Sequence, residues 1–181
     1  MNKVVFATVL SILVSANAAI AAEGNADKEG TIHVGIKAGP SDVSGSPTGI
    51  GVYGGYTLFG PNTFKNNDFL SKLSFAVEGE YVNLGSSTSW GITYSASTLG
   101  GVAAATYPVN EKFSVIVKAG MASVTSKISG CGWGWCGSST SIGLHTGAAA
   151  HFNITPKIGV RAGYDSYSGY RMMSANGVFK F

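Results

Sequence analysis

The residues best suited to take part in chemistry are charged side chains within stretches that are otherwise apolar or small. Glu78 and Glu80 lie two positions apart, and the cations Lys118 and Arg161 occupy separate stretches downstream. In a space with little water, charges of opposite sign are expected to pair, because an unpaired charge there is costly. The candidate charge network has six members: Lys37, Glu78, Glu80, Lys118, Arg161 and Asp165.

Three histidines, His33, His145 and His151, accompany these charges. A histidine combined with a serine and an acid is the minimum equipment for a hydrolytic nucleophile. The alternative is that these histidines are hydrogen-bonded filler in a packed interior. The two cysteines, without nearby histidine spacing, are too few for a zinc site. We predict no catalytic residues, no bound metal and no cofactor.

All of these residues belong to segments that alternate with period two. In the first segment Ile32 and Ile36 lie on one face, and His33 and Lys37 lie on the other. This period indicates strands with one apolar face. Eight such segments occur, at residues 31–38, 48–58, 72–84, 90–106, 113–122, 141–152, 158–165 and 173–181. An even number of consecutive strands predicts an antiparallel up-and-down barrel.

The connections fall into two alternating sets, which the strand order places at opposite ends of the barrel. One set comprises residues 59–69, 108–111 and 153–156, and the other comprises residues 39–47, 85–89, 125–139 and 166–169. In the fourth strand the alternation is obscured by small residues, so the sequence does not fix its register. Its first residues, Trp90, Ile92, Tyr94 and Ala96, are assigned to the apolar face.

The distribution of charged residues indicates which face of the barrel is polar and which contacts lipid. Of 181 residues only 12% are charged, against roughly 25% in a soluble domain. The strand charges all lie on the face that also carries glycine and serine, as expected of a narrow lumen filled by side chains. The apolar face then contacts lipid, which predicts an all-β, eight-stranded transmembrane barrel. A formal net charge of +3 with scattered lysines argues against nucleic acid as a partner.

Aromatic side chains collect near both strand ends, as in the interfacial girdles of membrane barrels. One predicted girdle contains Phe59, Phe69, Tyr107, Phe113, Phe152, Phe179 and Phe181, and the other contains Tyr81, Trp90, Tyr94, Tyr164, Tyr167 and Tyr170.

The first residues have the pattern of an export signal. Lys3 precedes an apolar run at residues 4–14, and small-residue A-x-A sites follow at 16–18 and 19–21. The run is too short for a membrane-spanning helix and fits a cleaved signal peptide. The predicted organisation is a signal peptide at 1–21, a flexible leader at 22–30 and the barrel at 31–181.

The chain end carries a further pattern, because Phe179 and Phe181 alternate up to the carboxyl terminus. Residues 75–85 also place acids between apolar positions and close with glycine. In both respects the chain resembles small bacterial outer-membrane barrels, namely the transmembrane domain of outer-membrane protein A and the opacity proteins. The resemblance implies residence in the bacterial outer membrane as a monomer. It also implies contact with outer-membrane lipids and lipopolysaccharide, and reading of Phe179 and Phe181 by the barrel-assembly machinery.

The most distinctive connection contains Cys131 and Cys136, which bracket Trp133 and Trp135. In an exported chain a disulfide closing this short segment is expected. The two tryptophans would then form either a rigid aromatic contact for a host or cell-surface ligand, or a protease-resistant tip resting on lipid headgroups.

These features favour a non-catalytic protein with a structural or adhesin-like role through its extracellular loops. The alternative is a narrow pore for small solutes or ions. A lipid A-modifying enzyme is a third option that the resemblance allows, but the residues around His145 lack the His-x-Ser arrangement of the outer-membrane deacylases.

Overall fold

The computed structural model describes residues 27–64, 67, 69–131 and 136–181. Eight antiparallel strands form a closed barrel in sequential order, and the first strand pairs with the last. The predicted eight-stranded up-and-down barrel is confirmed. The strands are β1 Ile32–Pro40, β2 Thr48–Phe59, β3 Ser74–Ser89, β4 Ile92–Pro108, β5 Phe113–Ser129, β6 Gly137–Asn153, β7 Ile158–Tyr167 and β8 Tyr170–Lys180, with one 3-10 turn at Leu70–Lys72.

The end of the barrel that carries the start of β1 and the end of β8 is called the lower end, and the opposite end the upper end. At the lower end the backbone N–H of Phe181 donates to the carbonyl of Ile32 at 2.9 Å. The signal peptide and residues 22–26 of the leader lie outside the described residues. No helix among the described residues is long and apolar enough to cross a membrane.

Side chains alternate between the outside and the inside of the barrel, apart from register shifts at Thr57/Phe59 and Asn83/Gly85. Val52 on the outer face is 55% exposed, whereas Lys37 on the inner face is 1% exposed. Large apolar side chains therefore cover the exterior while charged ones fill the interior, the reverse of a soluble barrel. This inversion is the arrangement required when the surrounding solvent is hydrocarbon.

The face assigned to the start of the fourth strand is wrong. Trp90 is not in the strand but in the turn before it, with a positive φ of 53° and 99% exposure. Ala96 is buried in the interior, and Leu99 lies outside instead. The prediction assumed that apolar residues face lipid. Because the upper part of the interior is also apolar, the apolar residues at the start of β4 face inward.

Two predicted loops are also wrong in extent. Residues 85–89 belong to β3, and residues 125–129 and 137–139 belong to β5 and β6. These segments are rich in serine and threonine and lie above the lipid-facing band, so no apolar alternation marks them. The connecting segments at the upper end of β3–β4 and β5–β6 are therefore shorter than expected, and the strands longer.

The predicted upper aromatic girdle needs several corrections. Tyr94 lies on the same inner face of β4 as Ala96, and Tyr170 packs against buried apolar residues of the interior. Tyr81 and Tyr164 do point outward and are about half exposed, but Tyr167 is fully buried inside the barrel. Tyr167 lies two residues after the inward Asp165, so its parity places it in the lumen. There its hydroxyl serves the charge network rather than the membrane interface.

Candidate functional site

The upper cluster of the interior is built around Lys37 of β1. Its Nζ lies 2.7 Å from Glu80 Oε2 and 2.9 Å from Asp165 Oδ2, and it donates a hydrogen bond of 2.8 Å to the hydroxyl of Tyr167. Three donors on one ammonium thus meet three oxygens from β3 and β7. The full upper cluster comprises Lys37, Glu80, Lys118, His145, Asp165 and Tyr167.

A second cation completes the charge balance of the upper cluster. Lys118 Nζ lies 2.7 Å from Asp165 Oδ1, the carboxylate oxygen that Lys37 does not contact. His145 Nε2 lies between the acids, 3.4 Å from Asp165 Oδ1 and 3.5 Å from Glu80 Oε1. Two ammonium groups therefore face two carboxylates, which is the condition for burying charge without leaving one unpaired.

The lower cluster, His33, Tyr53, Glu78 and Arg161, lies closer to the termini. Arg161 Nη1 and His33 Nε2 both lie 3.0 Å from Glu78 Oε1. The Arg161 guanidinium also stands 5.1 Å from the ring centroid of Tyr53, within the range of a cation–π contact. This cluster joins β1, β2, β3 and β7 around one carboxylate.

The lower mouth of the barrel carries a separate polar group. Lys180 Nζ lies 2.6 Å from Asp27 Oδ1 and donates to Asn153 Oδ1 at 3.0 Å. The ring of His151 lies 2.9 Å from the same Asn153 oxygen. The backbone N–H of Gly30 donates to the carbonyl of Thr57. Residues 27–30, expected to be a flexible leader, thus pack across this mouth.

An apolar cluster fills the interior above the charges. It comprises Val43, Val82, Leu84, Ala96, Ala122, Val124, Tyr167 and Met172. Val43 comes from the connection between β1 and β2, which is tied down where the Ser41 hydroxyl donates to the carbonyl of Leu84 at 2.6 Å. The upper part of the interior is therefore packed with hydrocarbon, and the charged clusters lie beneath it.

All six residues of the predicted charge network lie inside the barrel and take part in these pairs. The predicted charge network did not include Tyr167, which was assigned to the aromatic girdle, and it did not include Asp27 or Asn153. Tyr167 could have been found from its parity with Asp165. Asp27 could not, because it precedes the first strand and no periodicity governs its position.

The arrangement fills the lumen with paired charges that join strands across the barrel interior. His33 and His145 are each held against carboxylates, and the contacts of His151 are with an asparagine. The geometry among the described residues shows no serine bonded to any of these rings.

The upper hairpins form the other candidate site. Residues 85–89 of β3 and 137–143 of β6 pair with one neighbouring strand only among the described residues, so β3, β4, β5 and β6 extend past the barrel wall. We call residues 84–89, 92–97, 124–129 and 137–144 the protruding sheet. Cys131 and Cys136 form the expected disulfide at its tip, with Cα atoms 5.6 Å apart. Trp133 and Trp135 lie outside the described residues.

The predicted assembly residues, Phe179 and Phe181, lie on the outer face at the lower end. Their ring centroids are 4.9 Å apart in an edge-to-face arrangement. Such a pair of exposed rings fits a membrane interface. Their reading by assembly machinery stays a prediction.

Comparison with known proteins gives one family match. Residues 6–178 match the family described as the outer membrane protein beta-barrel domain. No curated protein matches the sequence.

Three solved structures illustrate the likeness in fold. The attachment invasion locus protein Ail of Yersinia pestis is 18% identical, with 84% of this chain and 99% of that chain covered and a TM-score of 0.57. The N-terminal barrel of Pseudomonas aeruginosa OprF is 12% identical, with 86% and 100% covered and a TM-score of 0.62. Neisserial surface protein A is 17% identical, with 83% and 96% covered and a TM-score of 0.54. At these identities the likeness concerns the fold alone.

Proposed function

The chain belongs to the outer membrane protein beta-barrel domain family, and from this membership we propose that it is a non-catalytic surface-interaction protein. In this proposal the lower end faces the periplasm and the protruding sheet faces the outside of the cell. The barrel anchors the sheet, and the sheet makes contact with a host or cell-surface ligand. One of the structures with this fold, Ail, is named an attachment invasion locus protein.

The observation that carries the proposal is the free edge of β6. The N–H of Ser168 donates to the carbonyl of Leu144, so the backbone groups of Leu144 face away from β5. Residues two apart share the same side, so Ser138, Thr140 and Ile142 direct their backbone groups to a side that no described strand occupies.

A free edge of this length has a physical consequence. An unpaired strand edge is a template for another chain, and proteins usually protect it with charge or proline. Residues 137–144 contain neither. The edge is therefore available to an extended segment of a partner, in the mode of strand addition.

A sealed interior favours this role over the narrow pore. A solute entering from above would first have to displace the apolar cluster around Val43 and Leu84. It would then have to separate buried ion pairs, including Lys37 with Glu80. Breaking buried pairs is costly, of the order of 3–5 kcal/mol when one partner is lost.

The test is adhesion of intact bacteria to cultured cells and to immobilised matrix proteins, with the parent chain, Ser138→Pro and Ser138→Ala. Proline cannot donate from its nitrogen to an added strand, whereas alanine removes the same hydroxyl and keeps the N–H. We expect adhesion to fall with proline and to persist with alanine. If bacteria lacking the protein adhere as well as those with the parent chain, the contact role is wrong.

A further inference from the structure

We infer that the free edge of β6 prefers an extended, uncharged strand of the partner that places an aromatic side chain beside Gly137. The inference rests on the proposed function and deepens it, because it names the kind of segment that the edge binds. The surface concerned, called the inner patch, consists of Tyr94, Ile128 and Gly137. It lies at the upper end of the protruding sheet, next to the disulfide-closed tip.

The register of β4, β5 and β6 places the three residues of the inner patch side by side. Tyr94 is opposite Ile128, and Ile128 is opposite Gly137. Because neither pairing has a register shift, these residues share the side of the sheet with the buried Ala96 and Val124. The inner patch therefore faces the space above the barrel interior and not the lipid.

Two side chains of the inner patch are apolar and yet exposed. Tyr94 is 37% exposed and Ile128 is 36% exposed. On β5 the next inner residue, Ser126, separates Ile128 from Val124 of the apolar cluster. Tyr94 and Ile128 thus form a small apolar surface that a partner can cover, and covering it with another apolar side chain is favourable.

Gly137 keeps the inner patch accessible from the free edge. A Cβ at Gly137 would have no neighbour within 4 Å. Because Ser138 directs its backbone groups to the free side, those of Gly137 face β5, and an added antiparallel strand forms a non-hydrogen-bonded pair there. Side chains approach most closely in such pairs. An aromatic ring opposite Gly137 would lie over the glycine and contact Ile128, as aromatic residues do when they compensate for a glycine at a sheet edge.

The composition of the edge favours a strand without charge. Residues 137–143 contain no charged side chain, and Tyr94 and Ile128 are also neutral. A charged side chain placed over Ile128 would lose water without gaining an ion pair, which is costly. The segment that fits this edge is therefore a strand of small polar residues around one aromatic residue.

The experiment measures binding of dye-labelled β-hairpin peptides to the purified, folded barrel by fluorescence anisotropy. Each peptide is cyclised, because a preorganised strand loses less entropy on binding, and its second strand is N-methylated so that only one edge can pair. The pairing strand consists of serine and threonine, with phenylalanine, alanine or glutamate at its central position. The backbone groups of this central residue are turned towards the second strand, so its side chain falls on the inner side when the hairpin adds antiparallel to β6.

The variants alter the inner patch without altering the barrel. Ile128→Ser removes the apolar contact, and Gly137→Val occupies the space beside the edge, where a Cβ meets no neighbour. Ile154→Ser is the matched control, because it makes the same substitution at an exposed isoleucine of a lower turn. Heat-modified mobility in gels establishes that each variant is a closed barrel.

We expect the parent to bind the phenylalanine hairpin about tenfold more tightly than the alanine hairpin, since one aromatic side chain is buried. The glutamate hairpin should bind most weakly. The Ile154→Ser control should keep this preference, whereas Ile128→Ser and Gly137→Val should bind the phenylalanine and alanine hairpins equally.

Three results would overturn the inference: no binding of any hairpin, equal binding of the phenylalanine hairpin and either of the others by the parent, or a preference for phenylalanine that Ile128→Ser leaves intact. Ser138→Pro distinguishes this failure from failure of the proposed function. Hairpins that bind the parent equally and lose binding with Ser138→Pro would show that the edge accepts strands without the aromatic preference. A preference for phenylalanine together with adhesion that does not depend on the protein would remove the proposed contact role alone.

Discussion

Lys37 Nζ and Asp165 Oδ2 lie 2.9 Å apart although 128 positions separate the two residues in the chain. The contact joins β1 to β7 from either side of β8, so it can form only after the barrel has closed. Because Lys37 also binds Glu80 of β3, one ammonium ties the first half of the barrel to the second. The presence of the contact between Lys37 and Asp165 therefore indicates that the barrel is closed.

Replacing Lys37 with methionine keeps a similar chain length and removes the ammonium. Glu80 then loses its direct cation, while Asp165 retains Lys118. We expect a loss of about 3–5 kcal/mol in the free energy of unfolding, as for a broken buried pair. Urea unfolding in lipid vesicles measures the loss. Adding Glu80→Gln to Lys37→Met should restore part of the lost stability. If Lys37→Met alone is as stable as the parent, the ion pair between Lys37 and Glu80 does not stabilise the barrel.

Conductance in planar bilayers tests whether the interior is closed. We expect neither the parent nor the Glu78→Ala plus Glu80→Ala variant to conduct, because the apolar cluster around Val43 lies above both acids. Glu111→Ala, on an exposed lower turn, serves as the matched control. Steady channels from the parent chain would show that the seal is wrong and favour the narrow pore.

Substitution by alanine should destabilise the barrel at one interior glycine and have little effect at one outward glycine. A Cβ on Gly147 would meet Asp165 Oδ1 and the Lys118 side chain, so Gly147→Ala should cost about 1–3 kcal/mol through overpacking. A Cβ on the outward Gly79 has no neighbour closer than 4.0 Å. Gly79→Ala should therefore leave the unfolding midpoint nearly unchanged. Equal effects would contradict the assignment of Gly147 to the packed interior.

The disulfide-closed tip makes a prediction about Trp133 and Trp135. If these rings form the aromatic contact, Trp133→Ala plus Trp135→Ala should lower adhesion of intact bacteria severalfold, because anchoring aromatics carry much of the binding energy. Cys131→Ser plus Cys136→Ser should lower it in the same direction by releasing the constraint on the tip. Unchanged adhesion with the tryptophan variant would contradict the aromatic contact and leave the alternative that the tip resists proteases.

Much of the fold could be predicted from the sequence because the membrane imposes one simple rule. Every spanning strand must place apolar side chains outside, and the narrow lumen takes what remains, so period two reveals both the strands and their faces. On this basis Lys37 and Arg161 were assigned to the interior, and Val52 to the exterior. Where the rule does not apply, above the lipid band, the predicted loops at residues 85–89 and 125–139 were wrong.

The sequence by itself determined the number of strands, the lipid face and the set of interior charges. Only the tertiary structure decided which charges pair, because pairing depends on the stagger of eight strands around a closed barrel, and alternation carries no information about stagger. Barrel closure also places Tyr167 beside Lys37 and Asp27 beside Lys180. The strands β3 to β6 are longer than the other four strands. These contacts join residues that are far apart in the sequence, so no local residue pattern predicts them.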